Sequence, residues 1–191
     1  MNKVKYNLRN AHYAVQTPGV EGELPTFATP VPIPGSVSLS LDAQGSETPF
    51  YADGLVYFMA VSNTGYSGDL EVAMIPDSFR KDVLMEVEDT TAKVLSEYSD
   101  VNTKNFALLF EFQGDEKAIR HVLYNCKATR PSISGQTNTE NIEPQTDTLT
   151  ITATPLSNYL TKSHTTADTT STTYDNWYKS VFIPAERDAE E

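Results

Sequence analysis

The sequence predicts a mainly β protein, an antiparallel β-sandwich or barrel with one flanking α-helix, extended loops and terminal arms. Three observations carry this. Six or seven segments read as strands, several of them alternating apolar and polar residues. Glycine, proline and asparagine punctuate them in the manner of hairpin connections. One stretch alone, Tyr66 to Leu84, changes from the strand period to the helix period.

Taken in order, residues 1–10 read as a mobile arm carrying Lys3, Lys5 and Arg9. Ala11 to Gln16 reads as a short strand with His12 at its edge. Thr17 to Pro34 contains Pro18, Pro25, Pro30, Pro32 and Pro34, which predicts an extended loop without ladder bonding. Val37, Leu39 and Leu41 alternate with Ser36, Ser38 and Ser40, a half-buried strand. Residues 42–54 then form a polar stretch with two aromatics, Phe50 and Tyr51, longer than a simple connection needs.

Leu55 to Val61 is apolar on both faces, and Asn63-Thr64-Gly65 is expected to turn it into a hairpin with the strand that follows. In that strand Leu70, Val72 and Met74 alternate with Asp69, Glu71 and Ala73. Pro76 stops the ladder, and Asp77 is placed to cap a helix whose stripe is Phe79, Val83 and Val87 beside Leu84. The polar run 86–105 allows a further helical turn over 92–98.

Phe106 to Gln113 and Ala118 to Cys126 read as strands joined at Gly114-Asp115, again with two apolar faces. A polar loop, 131–145, precedes the alternating Leu149, Ile151 and Ala153. The C-terminal segment, 155–191, holds a threonine-rich stretch, 161–173, expected to be flexible, then Tyr174, Trp177, Tyr178 and Phe182, and an acidic tail. Strands apolar on both faces need a second cover, from a helix or from a neighbouring subunit.

A single domain is expected for 191 residues, since no linker-like break divides the chain. Fourteen basic and 26 acidic residues leave a formal charge of −12, which disfavours nucleic-acid binding through phosphate neutralisation. No Lys or Arg lies between Asn10 and Phe79, whereas Glu21, Glu23, Asp42, Glu47, Asp53, Asp69, Glu71 and Asp77 do. This is either an ordinary solvated face or a surface past which a large object must slide without sticking. The polar N-terminus and the lack of a long apolar run predict a soluble chain made in a cytoplasm, with no membrane role.

Catalytic chemistry has no clear carrier. His12, His121 and His164 lack metal-ligand spacing, and the lone Cys126 lies in an apolar run as a buried thiol would. Asp100 to Glu111 fails as a calcium loop, with Lys104 at a ligand position and Asn105 where glycine is needed. Asp77 with Asp115-Glu116-Lys117 mimics a nuclease signature, but capping and turn roles explain those residues more simply. No enzyme activity, cofactor or metal is expected.

Seven segments run in unbroken order across most of residues 11–154: Pro32-Ile33-Pro34-Gly35-Ser36 through Leu41, Pro49 to Gly54, Gly68 to Glu71, Ile75 to Arg80, Phe106 to Phe112, Arg120 to Cys126, and Glu143 to Ile151. Together they resemble the major tail protein (tail tube protein) family of long-tailed siphophages. The resemblance implies a structural virion protein of the phage tail, assembled in the host cytoplasm. Six copies would form a ring whose inner wall is a continuous β-barrel, and rings would stack into the tube that delivers DNA. Its partners would be copies of itself and tail components such as tape measure, terminator and baseplate proteins, with DNA passing without specific binding.

By position, residues 42–54 match the family's stacking loop, making Asp42, Phe50, Tyr51 and Asp53 candidate inter-ring contacts. Asp69, Glu71 and Glu111, on the non-core faces of their strands, become candidate lumen-facing acids. The basic arm and the acidic tail are candidates for pairing between subunits. The other reading is a monomeric β-sandwich module binding a carbohydrate or cell-surface ligand.

Overall fold

A computed structural model describes residues 2–20, 22–137 and 143–185. The protein is mainly β, and the described residues show antiparallel pairing throughout and two short helices. The first strand, β1 (Lys5–Thr17), starts well inside the expected mobile arm. It pairs along β10 (Phe106–Gly114) from Lys5↔Gly114 to Val15↔Phe106. Asn7 and Asn10 interrupt that register with positive φ, a conformation asparagine tolerates better than most residues. The proline-rich 17–34 stretch is also tied down: β2 (Thr26–Phe27) and β3 (Val31–Pro32) each add a two-residue ladder to β1.

The next two elements overturn the expected pairing. β4 (Ser36–Gln44) pairs with β7 (Gly65–Val72), while β5 (Glu47–Ala52) pairs with β6 (Leu55–Val61). The 36–72 segment is therefore one long hairpin, pinched at Ser46 and Ser62 and turning at Asp53-Gly54. Residues 42–54 are not a loop, and β6 does not pair with β7. Both turn residues have positive φ, the geometry that Asp-Gly supplies in a two-residue turn.

β7 ends at Val72, so Met74 is not part of its buried face and is 73% exposed. Pro76 itself occupies the N-cap position of α1 (Asp77–Asp82), and Asp77 makes no capping bond. Asp77 sits one residue later, in the first turn, where its charge suits the helix dipole. Phe79 and Val83 are fully buried, as the stripe predicts. Phe79 meets Tyr13 and Phe106 edge-on, with ring centroids 5.1 and 5.5 Å away. The helix is shorter than its stripe: Met85 takes a positive φ, and Val87 falls in β8 (Val87–Glu88), exposed. The helical turn expected at 92–98 is absent. β8 instead pairs with β9 (Leu95–Ser96) around a turn in which Asp89 accepts from the Thr91 and Ala92 N–H groups.

β10, β11 (Ile119–Ala128) and β12 (Asp147–Thr154) complete the main sheet, in the order β2-β1-β10-β11-β12-β7-β4. The sheet curls, and β4 comes back alongside β1. Inside the curl lies the larger core: Tyr13, Leu70, Val72, Phe106, Leu108, Cys126, Leu149 and Ile151 with the helix residues Phe79, Val83 and Leu84.

The threonine-rich stretch is ordered rather than flexible. β13 (Lys162–His164) pairs with β11, Thr165 is buried, and Thr170 caps α2 (Ser171–Asn176). This places Trp177, 2% exposed, against Ala14, Ala107, Leu109, Val122 and Tyr124 on the outer face of the sheet. The second apolar face of β10 and β11 is thus covered by the chain's own C-terminal segment. The acidic tail from residue 186 lies outside the described residues.

Candidate assembly surfaces

Among the described residues two surfaces stand out as uncovered, and the long hairpin contributes to both. Its outer half, the β5–β6 arm, touches no core. Every residue of β6 is exposed. Tyr57 is 77% exposed, Leu55 73%, Val61 72% and Phe58 62%, with Val56 and Met59 less so. On β5, Phe50 and Tyr51 are similarly exposed, and Phe50 sits opposite Phe58. An isolated two-stranded hairpin is marginal in water, and a contiguous apolar surface of this kind marks an interaction site. Of the expected contact residues, Phe50 and Tyr51 stand on the arm, Asp53 forms its turn, and Asp42 lies exposed near its base. Sequence reading placed these residues together but missed that Leu55–Val61 belongs with them. The Asp53-Gly54 pair was the available signal.

The second surface is the outer face of β4, β7 and β12. Cross-strand register lines up Ser40, Asp69 and Thr150 in one row and Ser38, Glu71 and Thr148 in the next. Hydroxyls hold the acids: Thr150 donates to Asp69 at 2.7 Å, and Ser38 and Thr146 donate to Glu71 at 2.8 and 2.6 Å. The Thr146 and Ser38 bonds favour the ionised form and lower the Glu71 pKa. Their backs, Leu70, Leu149 and Leu39, belong to the core. β4 ends the sheet, and its outer edge carries no ladder among the described residues.

Glu111 does not share this surface. It is 2% exposed, taking Arg120 Nε at 3.0 Å and Asn10 at 2.7 Å, with Arg9 at 3.7 Å and the Tyr178 hydroxyl at 3.3 Å. Burial beside that carboxylate pushes the Tyr178 phenol well above its ordinary range. The C-terminal segment covers this face of β10, and nothing in the strand's own alternation foretells a cover from 60 residues away. At the start of β1 the Lys3 backbone N–H donates to Asp115, and the Lys5 ammonium lies over the Phe112 ring.

No cluster of three or more His, Cys, Asp or Glu side chains is arranged to hold a metal among the described residues. Cys126 is fully buried, and burial pushes its thiol up to about 12. No helix among them is long and apolar enough to cross a membrane.

No protein-family model matches the chain, and no curated protein does. Among solved structures it is similar to the anti-feeding prophage cap, the tube-terminating cap of that particle, determined by cryo-EM. The two share 15% identity over 86% of this chain and 94% of the other, with a TM-score of 0.42. A likeness at that level leaves function to be argued from the surfaces themselves.

Proposed function

We propose that the chain is a structural subunit of a phage tail tube, joining copies of itself into rings that stack into a conduit for DNA. The observation that carries this reading is the β5–β6 arm. It presents Phe50, Tyr51, Leu55, Val56, Tyr57, Phe58, Met59 and Val61 to solvent, side by side on a projecting hairpin. Burying each such side chain contributes about 1.5–3 kcal/mol, so covering the arm offsets the entropy lost on association.

The polar wall suits the second half of the role. A sheet whose exposed face offers fixed carboxylates and hydroxyls, with few cations, repels a polyanion rather than binding it. The unladdered edge of β4 would allow a neighbouring subunit to extend the wall. In this reading the wall lines the lumen through Asp69 and Glu71, and the arm bridges successive rings through Phe50 and Tyr51. The sequence resemblance supplies the ring of six, the virion as the place of action and other tail proteins as further partners. The role involves no catalysis and no cofactor.

Electron microscopy of negatively stained, concentrated protein tests the reading. Rings or tubes support it. Compact monomers at every concentration would favour the ligand-binding module instead.

A further inference from the structure

One cavity, of about 230 Å³, opens where the curled sheet ends, at the base of the arm. Leu41, Tyr66, Phe112 and Leu123 line it, with the half-buried His121 at its side. Two ammonium groups stand at this mouth. Lys5 lies 4.9 Å from the centre of the Phe112 ring, and Lys162 lies 4.5 Å from that of Tyr66. Neither has a carboxylate within ion-pair distance among the described residues. Several apolar side chains and two ammonium groups without an ion-pair partner among the described residues therefore share one mixed lining.

We infer that the mouth receives the β5–β6 arm of a second copy, with the aromatic and aliphatic side chains near the tip entering the apolar part and Asp53 in the tip turn meeting Lys5 or Lys162. This rests on the self-assembly proposed above and adds which surface accepts the arm. Three observations select the occupant. The arm's only charges are Glu47 and Asp53, so its sign complements that of the mouth. Its tip is exposed and lines no part of its own mouth, although Tyr66 at its root does, so an arm that fills the mouth belongs to another copy. The other large uncovered surface bears Asp42, Asp69 and Glu71, which repel the arm's own acids.

The test is carbodiimide coupling, which condenses a carboxylate with an amine, on assemblies of mixed isotope-labelled and unlabelled chains. Mass spectrometry should find links between copies joining Asp53 to Lys5 or Lys162. The double reversal Lys5→Glu with Lys162→Glu should raise the concentration needed for assembly by about tenfold or more. Adding Asp53→Lys to the same chain should recover part of the loss. The pair Lys5→Met and Lys162→Met keeps the apolar stems and should weaken assembly in the same direction, so the inference stays open to test if the reversal misfolds.

Assemblies whose links place the arm elsewhere, or charge-reversed chains that assemble at the wild-type concentration, would overturn the docking while leaving self-assembly standing. Wild-type protein that stays monomeric would overturn both.

Discussion

Arg120 Nε donates to Glu111 Oε2 at 3.0 Å across the β10–β11 ladder, where the two residues are direct register partners. Arg120 also donates to the Tyr174 carbonyl at 2.5 Å and lies over the Tyr174 ring, 3.7 Å from its centre. With Arg9 and Asn10 on β1, the pair joins the first strand, the central ladder and the C-terminal helix. Removing one partner of a buried pair strands the other charge. Glu111→Ala should therefore destabilise the fold by about 3–5 kcal/mol in urea titration. Asp69→Ala, at an exposed position, should cost less than about 1 kcal/mol.

His121 gives the stability a pH dependence. Its ring stacks on Phe110 at 5.1 Å and on His164 at 5.6 Å. Burial first, then the nearby His164, Lys162 and Lys5, lowers its pKa from 6.5 to about 4. The unfolded chain thus binds a proton that the folded chain refuses between those values. The stabilising contribution is full above about pH 6.5 and is lost as pH falls towards 4. Thermal unfolding across that window should show the loss, and His121→Phe should flatten it. An unchanged slope in the variant would assign the effect to other groups.

The helix gives a contrast between two neighbouring residues. Phe79 fills the space between Tyr13 and Phe106, so Phe79→Ala should cost about 3–5 kcal/mol. Asp77 makes no capping bond, so Asp77→Ala should cost no more than about 1 kcal/mol of dipole interaction. Urea midpoints of the two variants check both at once. A large loss from Asp77→Ala would restore the capping role.

Gly68 lies where β4 and β7 approach closely. A Cβ there would stand 1.9 Å from the Ser40 carbonyl oxygen. Gly68→Val should break the β4–β7 ladder and with it the polar wall. Amide hydrogen exchange would show this as lost protection at Leu39, Leu41 and Leu70, with β10 and β11 less affected.

Much of this was readable from the chain. Leu70 and Val72 announced a buried strand face, and Phe79 and Val83 the helix that covers it. What failed was pairing, because period two fixes which side a residue faces but not which strand it meets. Leu55 to Val61 reads as a strand apolar on both faces, and that pattern is the same whether a subunit's own core or another copy supplies the cover. Pro49 in β5 disguised the partner strand, although Asp53-Gly54 marked the turn between them. Glu111 was misplaced for the opposite reason. Its cover, Tyr174 to Phe182, comes from a segment whose threonine-rich approach resembles a flexible tail but is held by β13 and α2. The polar wall fared better: Asp69 and Glu71 face outward as their alternation with Leu70 and Val72 requires.

The most direct measurement of the central claim compares wild-type protein with a Phe50→Ser, Tyr57→Ser, Phe58→Ser variant by light scattering and negative-stain microscopy at matched concentration. These side chains contact no core, so the variant should keep the wild-type melting temperature. The account predicts rings or tubes from wild type and folded monomers from the variant. Equal assembly by both, or monomers alone from wild type at every concentration, would contradict it.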